Sequence, residues 1–330
     1  MAAPITSGTY TYTQSVYKIM CGSLRLCGVI ADEETPTSAQ AENTMDSLNA
    51  MVKGWSASGI HVWCEEECIL FLQPNQAQYQ LGVGSPDNAC LYRDYSQSAL
   101  TVTAASGATS VTLANAANLT AGAYIGIQLD AGTNFWTTIS GAPAGNVVTL
   151  TSPLPSQVTS GAISFSYVTP LMRPLRVPEG RRFLYSSQIQ TPLIVMARLD
   201  YDYLPNPYNT GVITQYFYDP HTGDGAYTNA VSFMNVWPSP VDYTNAMRFV
   251  GQRPIQDFAT LANIPDFPAE WLAALRWNLA VEIAPEYDVP ADRFDRLKAQ
   301  ADMWFLRASA WDKEPESVLF GVAFEPAYRT

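Results

Sequence analysis

Phe267-Pro-Ala-Glu-Trp-Leu-Ala-Ala-Leu-Arg-Trp-Asn-Leu-Ala-Val-Glu-Ile-Ala-Pro-Glu-Tyr-Asp-Val-Pro290, with the run Ala291 to Trp311 behind it, carries the period that decides the fold. Between Pro268 and Ala284, Trp271, Leu272, Leu275, Leu279 and Ile283 recur at helical spacing and form one apolar stripe. Pro268 suits a first turn, where a missing N–H costs nothing, and Asp266 or Phe267 sits near the cap. Pro285 cannot continue a helix, so the first one is predicted to end at about Ala284. A second is predicted to start near Pro290. Phe294, Leu297, Ala301, Trp304, Ala308 and Trp311 follow in alternating steps of three and four, which keep one stripe on a partner. Such a hairpin needs something to pack against, and the other strongly helical region lies near the N-terminus.

There, residues 9–30 place Val16, Ile19, Met20, Ser23, Leu24, Cys27 and Ile30 on one side of a helix. Asp32-Glu33-Glu34 makes an acidic loop. Thr35-Pro36 supplies a capping hydroxyl followed by proline at the first helical position. The helix it opens is predicted to run to about Ser58, with Ala41, Met45, Leu48, Met51, Val52 and Trp55 as its apolar face and Gly59 as its stop.

From Ile60 the period changes to two. Val62, Cys64, Glu66, Cys68 and Leu70 alternate with His61, Trp63, Glu65, Glu67 and Ile69, and after the turn at Pro74–Ala77 the run 78–82 is predicted to return as a hairpin. Residues 100–167 are rich in Thr, Ser, Ala and Gly and hold no Lys, Arg or Glu. Short runs at 100–103, 110–113, 124–129, 135–139, 147–150 and 163–167, punctuated by Gly, Asn and Pro, predict a small all-β barrel or sandwich inserted between segments of different character. Residues 171–250 are β again, with strands expected at 193–199, 212–218 and 230–237. The expected class is therefore α+β. A helical bundle from the N- and C-terminal helices joins an antiparallel β region and an inserted β module. The expected segments are 1–98, 99–170, 171–255, 256–311 and a tail, 312–330.

The chain has 330 residues, enough for a large core and two or three units. A 47% apolar content argues against wholesale disorder. Eighteen tyrosines and eight tryptophans suit extensive protein contact as well as a core. A net charge of -12 argues against a grip on nucleic acid through phosphate neutralisation, though not against a surface past which DNA slides. Five cysteines show no disulfide-framework spacing, Met1-Ala-Ala-Pro4 lacks the regions of a signal peptide, and no apolar run approaches the ~20 residues of a membrane span. The expectation is a soluble protein made in a reducing cytosol.

Candidate chemistry is sparse. His61, Cys64 and Cys68 are the nearest approach to a metal set, but a structural zinc site needs four ligands and the other histidine, His221, is distant. On a strand the two thiols point into a core, so no metal is expected. Glu65, Glu66 and Glu67 could supply a carboxylate pair for glycoside hydrolysis, but successive strand residues alternate faces and a solvated edge is the plainer reading. No nucleophile elbow, phosphate loop or dinucleotide fingerprint is present, so neither catalysis nor a cofactor is expected. Asp219–Gly225 lacks the ligand spacing of a calcium loop and reads as a turn. Arg173, Arg176, Arg181 and Arg182 form the single basic cluster, suited to nucleic acid or to an acidic neighbouring subunit.

The order of elements resembles a family. Thr35-Pro-Thr-Ser-Ala-Gln-Ala-Glu42, Leu48-Asn-Ala-Met-Val-Lys-Gly-Trp55 and the strand after them look like the start of the head-to-tail adaptor (tail accessory) proteins of short-tailed bacteriophages. Phe217-Tyr-Asp-Pro220 with Val236-Trp-Pro238 resembles the β region of their longer members. Leu119–Gly126 and Phe135–Ile139 are similar to a β insertion in some of them. Pro268-Ala-Glu-Trp271 and Leu279–Tyr287 resemble their C-terminal helical segment. The resemblance implies a structural virion protein, not an enzyme, of which about a dozen copies ring the portal, extend the DNA channel and carry tail tube, nozzle or fibre proteins. It further implies that the C-terminal tail docks on the portal, with Leu319, Phe320, Val322, Phe324 and Tyr328 as the contacts. Asp32, Glu33, Glu34, Asp292 and Asp295 are expected near the channel, where acidic groups repel the DNA backbone over a Debye length of ~10 Å and favour sliding without specific binding. The rivals are a virion-associated peptidoglycan hydrolase, which needs paired carboxylates in a cleft, and a glycan-binding tail module built on residues 99–170.

Overall fold

The computed structural model describes residues 12–57, 62–206, 209–221 and 231–312. The chain runs α1 (Val16–Cys27), α2 (Ser38–Ala57), β1 (Glu65–Phe71), β2 (Gln78–Leu81), β3 (Ala89–Leu91), β4 (Ser96–Ala99), β5 (Ser110–Thr112), β6 (Tyr124–Gln128), β7 (Asn134–Thr138), β8 (Val147–Thr149) and β9 (Ile163–Tyr167). It continues with β10 (Arg176–Leu184), β11 (Gln190–Pro192), β12 (Ile194–Val195), α3 (Arg198–Asp202), β13 (Thr210–Gly211), β14 (Gln215–Asp219), β15 (Ser232–Trp237), β16 (Ser239–Pro240) and β17 (Asn245–Gln252). The last helices are α4 (Leu272–Ile283) and α5 (Ala291–Trp311). The class is α+β. Two compact units divide the chain: Met1–Trp63 with Ile255–Thr330, and Cys64–Pro254. No described helix is long and apolar enough to cross a membrane.

In the helical unit α4 is the element everything else covers. It packs on α1, α2 and α5, and its predicted stripe, Trp271, Leu272, Leu275, Leu279 and Ile283, is fully buried. Small residues let α1 come close. Ser23 donates its hydroxyl to the Arg276 carbonyl at 2.8 Å and Cys27 its thiol to the Ala280 carbonyl at 3.2 Å. A Cβ on Gly22 would fall 2.4 Å from the Arg276 side chain. The first amides of α1 are satisfied from outside the helix, Val16 and Tyr17 donating to the carbonyls of Asn263 and Leu261 at 2.9 and 3.0 Å. Gly28 ends α1 at φ 76°, the left-handed conformation that glycine adopts without cost. The helix is thus shorter than 9–30, of which residues 9–11 lie outside the described ones. For α2 the cap is Thr37, not Thr35. Its N–H and hydroxyl exchange bonds with Gln40 in a capping box. α4 ends at Ile283, where Pro285 was expected to stop it, and the chain tightens to a 3-10 turn, Ala284–Tyr287, with Pro285 in its first turn; Asp288 at φ 49° ends that turn. On α5 the expected stripe is buried at Leu297, Ala301 and Ala308.

The β unit is organised on β1. Its apolar run Cys68-Ile-Leu-Phe-Leu72 is buried on both faces, because β1 lies inside a five-stranded sheet of order β11-β10-β17-β1-β3. One face packs Cys68, Leu70, Met247 and Phe249 against Tyr79, Tyr216, Met234 and Val236 of a four-stranded sheet, β12-β14-β15-β2. The other packs Ile69, Phe71, Phe183 and Ala246 against Phe165 and Tyr167 of a third sheet, β4-β9-β6-β7. That third sheet also covers a separate core of Leu113, Ile125, Ile127, Val148 and Leu150, next to the two-stranded β5-β8. A Cβ on Gly126 would lie 2.7 Å from the Trp136 ring, so glycine is what lets that indole lie across β6.

Several expectations fail here. The hairpin of 60–71 with 78–82 does not form: β1 pairs with β17 and β3, while β2 pairs with β15 in another sheet. Residues 62–64 are a 3-10 turn and the strand begins at Glu65. The strand expected at 100–103 is β4, four residues earlier, with a single bridge from Leu100 to Leu113. The strand expected at 193–199 is only two residues long and turns into α3. β10 forms where no strand was expected within 171–250. Pro178 falls at its bulge, between Arg176 and Glu179, where no ladder N–H is required.

Candidate functional site

The proposed portal contacts Leu319, Phe320, Val322, Phe324 and Tyr328 lie outside the described residues, as does His61. Asp32, Glu33 and Glu34 are exposed in the loop between α1 and α2. Asp32 lies 3.6 Å from Arg25, and Glu34 accepts the Ala31 N–H at 3.0 Å. Asp292 and Asp295 are exposed in the first turns of α5, where the helix dipole favours them. Arg296 donates to the Asp292 carboxylate at 3.2 Å, and Arg293 lies between the two aspartates, so this surface is of mixed charge.

β1 is interior to its sheet, so its glutamates do not form an edge, although Glu67 remains exposed to solvent. Glu66 and Glu67 face opposite ways and each takes its own arginines. Glu66 lies 3.2 Å from Arg253 and 3.4 Å from Arg93. Glu67 lies 2.5 Å from Arg248 and 3.6 Å from Arg181, which also pairs with Glu179. The Arg248 guanidinium sits 3.6 Å above the Tyr92 ring, a desolvated cation–π contact. The basic cluster read from sequence is dispersed for the same reason of alternation. Arg181 faces the Glu67 side, Arg182 donates to the Thr191 hydroxyl at 3.3 Å, and Arg173 reaches the Pro220 carbonyl at 3.4 Å. Asp219 belongs to β14 and lies 3.6 Å from Arg198; residues 222–225 of the expected turn lie outside the described ones. Among the described residues no group of three His, Cys, Asp or Glu side chains is placed to hold a metal.

All five cysteines are buried and none is joined in a disulfide. Burial pushes the Cys68 thiol up to about 12, helped by the Glu66 charge, and the Cys27 thiol up to about 11 against the pull of Arg293. A group held protonated in the folded state and titrating near ~8.5 when unfolded stabilises fully below that pH. That stability is lost as pH rises towards the folded values. The protein is therefore expected to lose stability steadily above about pH 9, and its native thiols to resist Ellman's reagent at neutral pH. One thiol reacting at the rate of an exposed cysteine would contradict this.

The surface feature that sequence reasoning missed is an edge. The stretch Gln190–Val195 pairs with β10 as β11, passes through Leu193, whose N–H donates to the Gly180 carbonyl at 2.9 Å, and then pairs with β14 as β12. One strand thus closes the same side of two sheets. It holds no charged residue, and Pro192 is its one edge-blunting residue. Around it Ile189, Ile194 (63% exposed), Val195, Leu199, Tyr203 (76% exposed) and Val212 present their side chains to solvent. The signal in the sequence was the uncharged run Ile189–Val195 itself, of which only the part from Leu193 was expected to be a strand.

No protein-family model matches this chain, and a comparison with curated proteins gives no match.

Proposed function

We propose that the chain is a structural virion protein, a head-to-tail adaptor that forms a ring below the portal of a short-tailed bacteriophage and extends the DNA channel. The observation that carries the reading is the uncharged, apolar edge at Ile189–Val195 with Leu199, Tyr203 and Val212 beside it. Natural sheets blunt such edges with charge or cover them, and an uncovered one is a template for another chain. A ring built from head-to-tail contacts needs two different surfaces on every copy, and this edge suits one of them. In this reading the helices of both termini make the bundle next to the portal, and residues 99–170 are an inserted barrel or sandwich that tail components meet. The acidic groups at 32–34 and 292–295 face the channel. DNA passes without specific binding, in keeping with the net charge of -12. The hydrolase rival loses support because Glu66 and Glu67 are held by arginines on opposite faces.

Mass measurement of the purified chain alone and mixed with portal protein tests this. The expected result is a smaller species alone and a ring of about a dozen copies on the portal. Ile194→Lys with Val195→Lys is expected to abolish the ring while leaving the circular dichroism unchanged, and deletion of residues 312–330 to abolish portal binding alone. A chain that never associates with portal, or that digests peptidoglycan, refutes the reading.

A further inference from the structure

A pocket of about 100 Å³ opens under β1 and β3, lined by Cys68, Leu91, Leu171, Met172, Pro174 and Gly251. Glycine keeps it clear: a Cβ at Gly251 would fall 3.1 Å from the Cys68 sulfur and 3.6 Å from the Pro174 side chain. Met172 is exposed beside it. Apolar walls give water few partners, whereas a side chain seated there supplies the dispersion contacts that the walls otherwise lack. Charge surrounds the opening. Glu66 lies 3.2 Å from Arg253 and 3.4 Å from Arg93, which is itself 4.0 Å from Asp94. Arg173 stands between two lining residues, and Arg176, two positions beyond Pro174, is exposed. The carboxylates of Glu179 and Asp219 are taken by Arg181 and Arg198. Four arginines against Glu66 and Asp94 leave this surface positive.

The other side of the β unit carries the complement. β3 and β11 are opposite edges of the five-stranded sheet. Past β11 and β12 the chain turns into α3, where Leu199 is exposed with Asp200 and Asp202, exposed as well, close by in sequence. Arg198 is answered by Asp219 at 3.6 Å, so α3 presents an aliphatic side chain in negative surroundings.

We propose that Leu199 of one copy seats in this pocket of the next, with Asp200 and Asp202 meeting the arginines of its rim. The inference rests on the ring reading and supplies the second surface that the ring needs. An apolar cavity of ~150 Å³ is filled by a benzene ring, so the smaller pocket suits one branched aliphatic side chain and excludes Tyr203. Complementary charge fixes which side chain enters and in which orientation. Because pocket and α3 differ and belong to opposite sides of the sheet, every copy offers both and the contact repeats around a closed ring.

Cysteine trapping is the test, since the native thiols are buried. Equal amounts of Leu199→Cys and Met172→Cys chains are mixed with portal protein, oxidised and run on a non-reducing gel. A crosslink between positions 199 and 172 is expected in the mixture, and no dimer from either variant alone. Leu199→Asp and Thr169→Trp, both at exposed positions, are each expected to raise the concentration needed for half-maximal ring formation at least tenfold, with unchanged circular dichroism. A ring that forms without the crosslink, or that Leu199→Asp leaves unaffected, overturns the inference and leaves the ring reading standing. A Leu199→Cys chain that links to itself overturns it too, since that contact is back to back. If the unaltered chain forms no ring on the portal, the ring reading fails and takes the inference with it.

Discussion

Replacing Trp271 with alanine is expected to remove about 3–5 kcal/mol from the helical unit, a third or more of what a domain of this size holds in reserve. Trp271 has no exposed surface. Its ring lies 5.6 Å from that of Trp55, 5.2 Å from Trp63, 6.1 Å from Phe267 and 6.0 Å from Phe305. These rings come from α2, the segment after it, the approach to α4, and α5. Alanine would therefore open a void at the point where separate parts of the chain meet, and none of them can close it without leaving its other contacts. Trp271→Phe should behave differently. The indole N–H is buried with no acceptor, so phenylalanine deletes an unsatisfied donor along with some volume. Its expected cost is below about 1.5 kcal/mol. Urea unfolding followed by far-ultraviolet circular dichroism measures both. Equal costs for the two variants would show that the ring cluster does not hold these segments together.

That cluster also shows what the sequence made legible. A helix announces its buried face within one stretch of chain, so the stripes on α1, α2, α4 and α5 could be read locally, although α1 starts later than expected. Both thiols expected in a core are buried, Cys68 at the head of the apolar run of β1 and Cys64 in the 3-10 turn before it, not on the strand. Strand partnership is another matter. Alternation says which residues share a face and nothing about which distant strand lies alongside. The run 78–82 follows β1 closely and still pairs with β15, since β1 is already flanked by β17 and β3. β10 is hidden further by composition. Arg176-Val-Pro-Glu-Gly-Arg-Arg-Phe-Leu184 looks like a charged loop until Arg181 finds Glu67 and Arg182 finds Thr191 across the sheet, with Glu179 pairing Arg181 on the same strand. Gly180 is needed there because a Cβ would meet Met247 at 2.6 Å and Tyr216 at 2.9 Å. The carboxylates of β1 were legible as non-convergent. Most of their arginine partners were not, for Arg248 and Arg253 lie more than a hundred positions away.

Phe71 and Leu70 are neighbours in sequence and serve different interfaces, which gives the second large effect. Phe71 faces the third sheet, with its ring 4.7 Å from Trp136, 5.3 Å from Phe165, 5.8 Å from Tyr95 and 6.1 Å from Tyr167. Leu70 is equally buried and faces the four-stranded sheet. Either residue changed to alanine is expected to cost about 3–5 kcal/mol, but the losses should appear in different strands. The third sheet keeps its own core on its far side, through Ile125, Ile127, Leu113 and Val148, so Phe71→Ala leaves it folded and loosens its seat on β1. Amide hydrogen exchange separates the cases, because protection tracks the local opening free energy. Phe71→Ala should accelerate exchange in β4 and β9 while β14 and β15 keep their protection. Leu70→Ala should do the reverse. If both substitutions accelerate the same strands, β1 does not divide two independent interfaces, and the residues 99–170 are one cooperative body with the rest of the β unit. If the strands separate as expected, β1 is the wall between two cores, and its unbroken run from Cys68 to Leu72 is the sequence consequence of having no solvent on either side.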